Sequence, residues 1–221
     1  MLFIIDTGRM ESPSRHRCLI YEGPPSQQLP ALVAATREKL QQNCRCLYLN
    51  SPAMVAGMGS YLAASGVDVA QEVARGGLVL SSEQHLIDDY KFDARHMIDR
   101  LQSALEDALQ QGFRGLWATG DMTWEFGPQK DFSSLLEYEW RLEEFMNEHP
   151  ELSGICQYRA DILPRSAMRN GLLAHATIFV NQTLSRLNPH YIHPNSFAPD
   201  STDNPELDGF INELISQENL N

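Results

Sequence analysis

The sequence predicts an α/β protein: a doubly wound, mostly parallel sheet with helices on both faces. Three observations carry that expectation. Short apolar runs alternate with longer amphipathic ones along the chain, as βαβ crossovers require. Several short runs, such as "CLIY" and "CLYL", are apolar almost throughout, as strands covered on both faces are. Several of the longer runs carry residues that start or stop helices, with Pro30 and Asp93 at openings and Gly66, Gly112 and Pro150 at ends.

Strands are expected at Cys18–Glu22, Cys46–Asn50, Leu78–Ser82, Gly115–Thr119, Gly154–Tyr158 and Thr177–Asn181. The first helix, Pro30–Gln42, carries Pro30 in its opening turn, where a missing N–H costs little. The second, Ala53–Ser65, is closed by Gly66. The clearest period lies in Asp93–Gln111, where Met97, Ile98, Leu101, Leu105, Ala108 and Leu109 recur at helical spacing behind a capping Asp93. A further helix runs from about Ser134 to His149, stopped by Pro150, and a shorter one lies near Pro164–Leu173. Residues 1–185 are expected to form one domain. Residues 186–221 read as a Pro- and Asn-rich linker and a C-terminal amphipathic helix with Leu207, Phe210, Ile211, Leu214 and Ile215 on its apolar face. The pattern leaves open whether that helix docks on the domain or on a partner.

Hydrophobic content of 43% and charged content of 21% describe an ordinary soluble globular protein. No apolar run approaches the ~18 residues of a spanning helix, and "MLFIID" lacks the features of a signal peptide. A cytoplasmic location without membrane attachment is expected. The net charge of −12 argues against direct nucleic-acid binding, because a phosphate backbone is held by clustered Lys and Arg; a partner could supply it. The four cysteines include no C-x-x-C pair, and the seven histidines offer no matching H-x-x-x-H. Reduced, mostly buried thiols are expected, with no metal and no cofactor.

In a doubly wound sheet, ligands bind at the carboxyl ends of the strands. The first such end, "YEGPPSQQLP", stands where a phosphate loop would. A working loop needs G-x-x-x-x-G-K-[ST]: glycines for the backbone cradle, Lys for the charge, a hydroxyl for Mg²⁺. Beginning at Gly23, this sequence places Gln28 at the second glycine, Leu29 at the lysine and Pro30 at the hydroxyl. Pro24 and Pro25 remove two amide donors. No carboxylate stands at the end of "YLNSPA", and in "GLWATGD" Asp121 comes only after a Gly. ATP hydrolysis is not expected.

"HRCLIYEG", "CRCLYLN", "GDMTWEFG", "LLEYEWRLEEF" and "GICQYR", in this order over roughly residues 14–180, resemble the MEDS domain. This is the sensory domain of methanogens and methylotrophs also found in the dichloromethane-responsive regulator. The resemblance implies a RecA/KaiC-like fold with a degenerate phosphate loop. It also implies a non-enzymatic role in signal transduction and transcription regulation: sensing small molecules such as hydrocarbon derivatives, alone or joined to output modules. Trp117 and Asp121 depart from the family pattern, which often has a basic residue and Glu there. No output module is recognisable after residue 181, so a separate signalling or regulatory partner is expected.

The expected ligand site gathers Gly23, Ser26, Gln27, Asn50, Asp121, Trp124, Glu125 and Glu139. The loop "GDMTWEFG" offers two carboxylates, a hydroxyl and an indole, the apolar wall and polar anchors of a small-molecule pocket; packing by Trp124 and capping by Asp121 are an even alternative. Ser26, Gln27 and Gln28 suit a neutral ligand better than a polyphosphate, or else serve the helix amides. Glu139 falls on the family's Tyr-Glu pair and is expected to point inward; a structural use outweighs an acid/base pair with Glu125. His16 and Cys18 share one side of the first strand. A buried, hydrogen-bonded His16 is the first reading, ligand contact the second and metal the third. Two other functions remain open: a nucleotide-binding protein without efficient hydrolysis, and a pure interaction module using the acidic surface and the tail helix. A homo-oligomer is a possibility by fold-level analogy only.

Overall fold

The computed structural model describes residues 15–82, 93–125, 132–198 and 204–218, and within these the side chains of all but Trp124, Glu125, Gln217 and Glu218. The strands are β1 (His16–Tyr21), β2 (Arg45–Leu49), β3 (Leu78–Ser81), β4 (Leu116–Asp121), β5 (Leu152–Arg159), β6 (Thr177–Asn181) and β7 (Leu184–Leu187). They form one seven-stranded sheet in the order β3-β2-β4-β5-β1-β6-β7. Neighbours run parallel except β6 and β7, which pair as an antiparallel edge. The expected α/β architecture is therefore present. Helices are α1 (Leu29–Gln41), α2 (Pro52–Ala64), α3 (Val69–Ala74), α4 (Ala94–Gln110), α5 (Met122–Glu125), α6 (Leu135–Glu148), α7 (Arg165–Ala174) and α8 (Pro205–Glu218). None among the described residues is long and apolar enough to cross a membrane.

The pleat divides the core. Leu19 and Tyr21 of β1, Cys46 and Tyr48 of β2, Trp117 of β4 and Ile155 of β5 pack with α1 and α2. Cys18 and Ile20, Leu116, and Cys156 and Tyr158 face the other way, onto α4, α6, α7 and α8. Alternate residues of each strand thus meet different helix layers, which is why the strands read as continuous apolar runs.

Local chemistry accounts for the boundaries. Asp93 caps α4, its Oδ1 accepting from the N–H groups of Arg95 at 2.9 Å and His96 at 3.1 Å. The α1 helix ends on Asn43, held at φ +59°, a left-handed position that Asn tolerates. The α8 helix docks on the domain: Leu207, Phe210, Ile211, Leu214 and Ile215 are all buried in the α4/α6/α7 layer, and Arg169 of α7 holds Asp208 through two nitrogens at 2.9 and 2.6 Å.

Candidate functional site

At the carboxyl end of the sheet, β1 runs into the loop Gly23–Gln28. Gly23 sits at φ +92°, in the region L side chains avoid. Pro24 leads into a 3-10 turn over Pro25–Gln28, closed by the Gln27 N–H donating to the Pro24 carbonyl at 3.0 Å. Ser26 and Gln27 are exposed on this turn. Asp161, beyond the end of β5, is held below its usual range chiefly by its hydrogen bond from Arg159. Arg159 grips Asp161 with Nε on Oδ1 at 2.9 Å and Nη2 on Oδ2 at 2.8 Å.

Asp121, the last residue of β4, is 5% exposed and accepts the Thr123 N–H at 2.8 Å. Burial, and then the charge of Asp121, push the Tyr21 phenol up; Arg159, Tyr48 and Asp161 act on the same hydroxyl. The Tyr48 phenol is raised by burial and by Asp121, against a hydrogen bond from Asn50. Asn50 is fully engaged within this edge: Nδ2 donates to the Tyr48 hydroxyl at 3.2 Å, and Oδ1 accepts the Ser51 N–H at 2.8 Å. The Tyr21 hydroxyl and Thr123 Oγ1 are buried without a hydrogen-bond partner. Asp121 and Tyr48 thus act on Tyr21 directly, while Asn50 reaches it through Tyr48, and Gly23 along the chain. Trp124 and Glu125 close α5, and their side chains lie outside the described residues.

Glu139 belongs elsewhere. It projects from α6 into the sheet, fully buried, and meets His16 at the amino-terminal end of β1. Its Oε2 lies 3.1 Å from His16 Nε2, 3.6 Å from His175 Nε2 and 3.6 Å from the Cys156 thiol, while Oε1 accepts the Tyr158 hydroxyl. His16 Nδ1 meets Glu143 Oε2 at 2.9 Å, and its Nε2 stands 3.5 Å from Cys156 Sγ. The His16 and His175 rings lie 4.0 Å apart. Burial alone would make His16 neutral, but its bonds to Glu139 and Glu143 hold it charged, with its pKa raised to about 9. Burial and the His16 charge push His175 down to about 4. With His175 neutral, Glu139 keeps its proton off through His16 and the Tyr158 hydrogen bond, against its own burial.

Glu143 connects this cluster to the surface. Its outer side lines a groove of about 610 Å³ between α6 and the segment 193–195, together with Leu136, Trp140, Asn147, His193 and Pro194. The groove lies away from the strand ends where a ligand was expected.

Sequence reasoning did not single out Tyr21, Arg159 and Asp161 at the edge, nor Glu143, Tyr158 and His175 in the cluster; Thr123 entered only as the hydroxyl of the "GDMTWEFG" loop, and Cys156 only as a buried thiol. One signal was present: Glu139 and Glu143 stand four apart on one helix face, and His16 and Cys18 on one strand face. Nothing in the sequence marked His175 or paired it with them.

No curated protein matches the chain. Among solved structures it is similar to the flagellar accessory protein FlaH from Methanocaldococcus jannaschii, with 14% identity, 84% of this chain and 83% of that chain covered, and a TM-score of 0.48. A family model, the methanogen/methylotroph, DcmR sensory domain, matches residues 15–176. That span takes in every strand from β1 to β5, the elements that bear Asp121, Glu139 and Cys156, and His175 itself, so the chain belongs to the MEDS family of sensory domains.

Proposed function

We propose that this sensory domain is non-enzymatic and binds a small, uncharged ligand with a hydrogen-bonding end, at the carboxyl edge of the sheet around Asp121, and that it passes the signal to a separate protein. The observation that carries this reading is the pair of partnerless buried hydroxyls, Tyr21 and Thr123, beside the buried Asp121 carboxylate. Buried polar atoms without partners are rare, and a ligand or an ordered water is the ordinary reason for one. The charges favour an uncharged ligand. Arg159 is already paired with Asp161, and Asp121 adds a negative charge, so a polyphosphate would meet net repulsion. Gly23 shapes the turn after β1, and Asn50 orients the Tyr48 hydroxyl.

The test is a thermal-shift scan with one-carbon and halogenated compounds, alongside Mg-ATP and Mg-ADP. A ligand at ~100 times its Kd stabilises by ~2.7 kcal/mol, a readily measured rise in melting temperature. Tyr21→Phe removes only an unsatisfied oxygen, so the free protein should melt at or slightly above the wild-type temperature. The same variant should lose most of its response to the ligand. A response confined to nucleotides, or one that Tyr21→Phe leaves intact, would defeat this reading.

A further inference from the structure

We propose that His16, Glu139, Cys156 and His175 form a binding site for a divalent transition metal of the zinc type, separate from the ligand edge. His16 Nε2, Glu139 Oε2, Cys156 Sγ and His175 Nε2 all lie within 4.8 Å of one another. Four of the separations are 3.1, 3.5, 3.6 and 3.6 Å. A tetrahedral ion with bonds of ~2.0–2.3 Å sets its donor atoms ~3.3–3.8 Å apart, so the quartet is already close to the spacing required. Two imidazoles, a thiolate and a carboxylate suit Zn²⁺ and its neighbours, whereas Mg²⁺ and Ca²⁺ prefer oxygen-only sets.

Hydrogen bonding fixes the ring that matters most. His175 Nδ1 lies 2.6 Å from the Gly171 carbonyl, which can only accept, so the ring proton sits on Nδ1. The Nε2 atom is then a bare lone pair, fully buried and without a hydrogen-bond partner, 3.6 Å from the Glu139 carboxylate. Two acceptors facing each other in a buried cluster repel unless a cation lies between them. His16 is arranged from outside in the same way. Its Nδ1 faces Glu143 Oε2 at 2.9 Å, the carboxylate–histidine arrangement that orients a metal-binding imidazole and raises its basicity. The donors come from β1, α6, β5 and the end of α7, so the packed core itself sets their positions. Glu143 touches both the groove and His16, and so acts as a positioning residue rather than a ligand.

The experiment uses the whole purified chain, stripped with a chelator and titrated with Co²⁺ and then with Zn²⁺ in competition. One Co²⁺ per chain should bind, giving the intense visible bands of a tetrahedral complex and a thiolate-to-cobalt band in the near ultraviolet. Zn²⁺ should bleach both. Cys156→Ser should lose the thiolate band, and Cys44→Ser, at a half-buried cysteine outside the cluster, should keep it. Glu143→Gln should keep the spectrum but weaken binding by about 10–100-fold. Should Cys156→Ser fail to fold, the wild-type spectrum and the Glu143→Gln affinity decide the matter alone. Sub-stoichiometric uptake, an octahedral spectrum without a thiolate band, or wild-type affinity in Glu143→Gln would overturn the proposal.

Discussion

Glu139 is the residue on which most of the buried polar structure turns. Removing it takes from the buried His16 charge its carboxylate contact on Nε2, leaving Glu143 on Nδ1. Breaking a buried pair from one side costs ~3–5 kcal/mol, so Glu139→Leu should lose about that much in urea unfolding. A second test acts through shape alone. A Cβ on Gly171 would lie 2.5 Å from two ring carbons of Tyr158, whose hydroxyl donates to Glu139. Gly171→Ala should therefore cost ~1–3 kcal/mol and alter the near-ultraviolet tyrosine dichroism as that ring is displaced. At this scale the sequence was partly legible. The inward aim of Glu139 followed from the Tyr-Glu pair of the family pattern, while its partners did not, because contact between residues 16, 139, 156 and 175 depends on strand order. Asp121 was readable as an acid just past a strand end; β4 in fact runs on through Gly120 to include it. The orphan hydroxyls were not, since whether an oxygen finds a partner is decided only once the chain has packed.

Among the elements, α8 shows most plainly what a pattern can and cannot say. Its apolar stripe was evident, but an amphipathic helix presents the same stripe whatever covers it. Here the domain itself covers it, with Ile211 fully buried. Ile211→Ala should cost ~2–5 kcal/mol, measured by denaturant unfolding. Asp208 adds a pH dependence. Its hydrogen bond to Arg169 holds the carboxyl below its usual value. The folded state thus favours the ionised form, so this contribution is complete above the unfolded pKa of ~3.9 and is lost as pH falls through the lower folded value. Asp208→Asn should flatten that part of the acid limb in melting temperature plotted against pH. Helices with strong periods, such as α4, were legible to within a residue or two. The short α3 and the edge strand β7 were not: α3 buries no residue, and Leu184 and Leu187 of β7 are exposed, so neither leaves a hydrophobic period to read.

For the molecule as a whole, the charge of −12 sets how it meets other polymers. Duplex DNA should show no mobility shift with this chain even at low salt, where electrostatic attraction would be strongest. The parallel sheet was legible from the alternation of elements, but its strand order was not, because sequence alone does not say that β5 lies between β1 and β4. That order has a consequence for how the protein is made. The strand β1 leaves the ribosome before the other six, yet it ends in the interior of the sheet, with His16 opposite Gly154 and Arg17 opposite Thr177. Its second neighbour is synthesised roughly 160 residues later. At ~5–20 residues per second the nascent chain carries an unpaired apolar strand for on the order of ten seconds. The half-sheet of β2, β3 and β4 can assemble meanwhile, but the core around Glu139 cannot. Its four donors are drawn from both ends of the chain, so the quartet exists only on a molecule whose synthesis has passed His175.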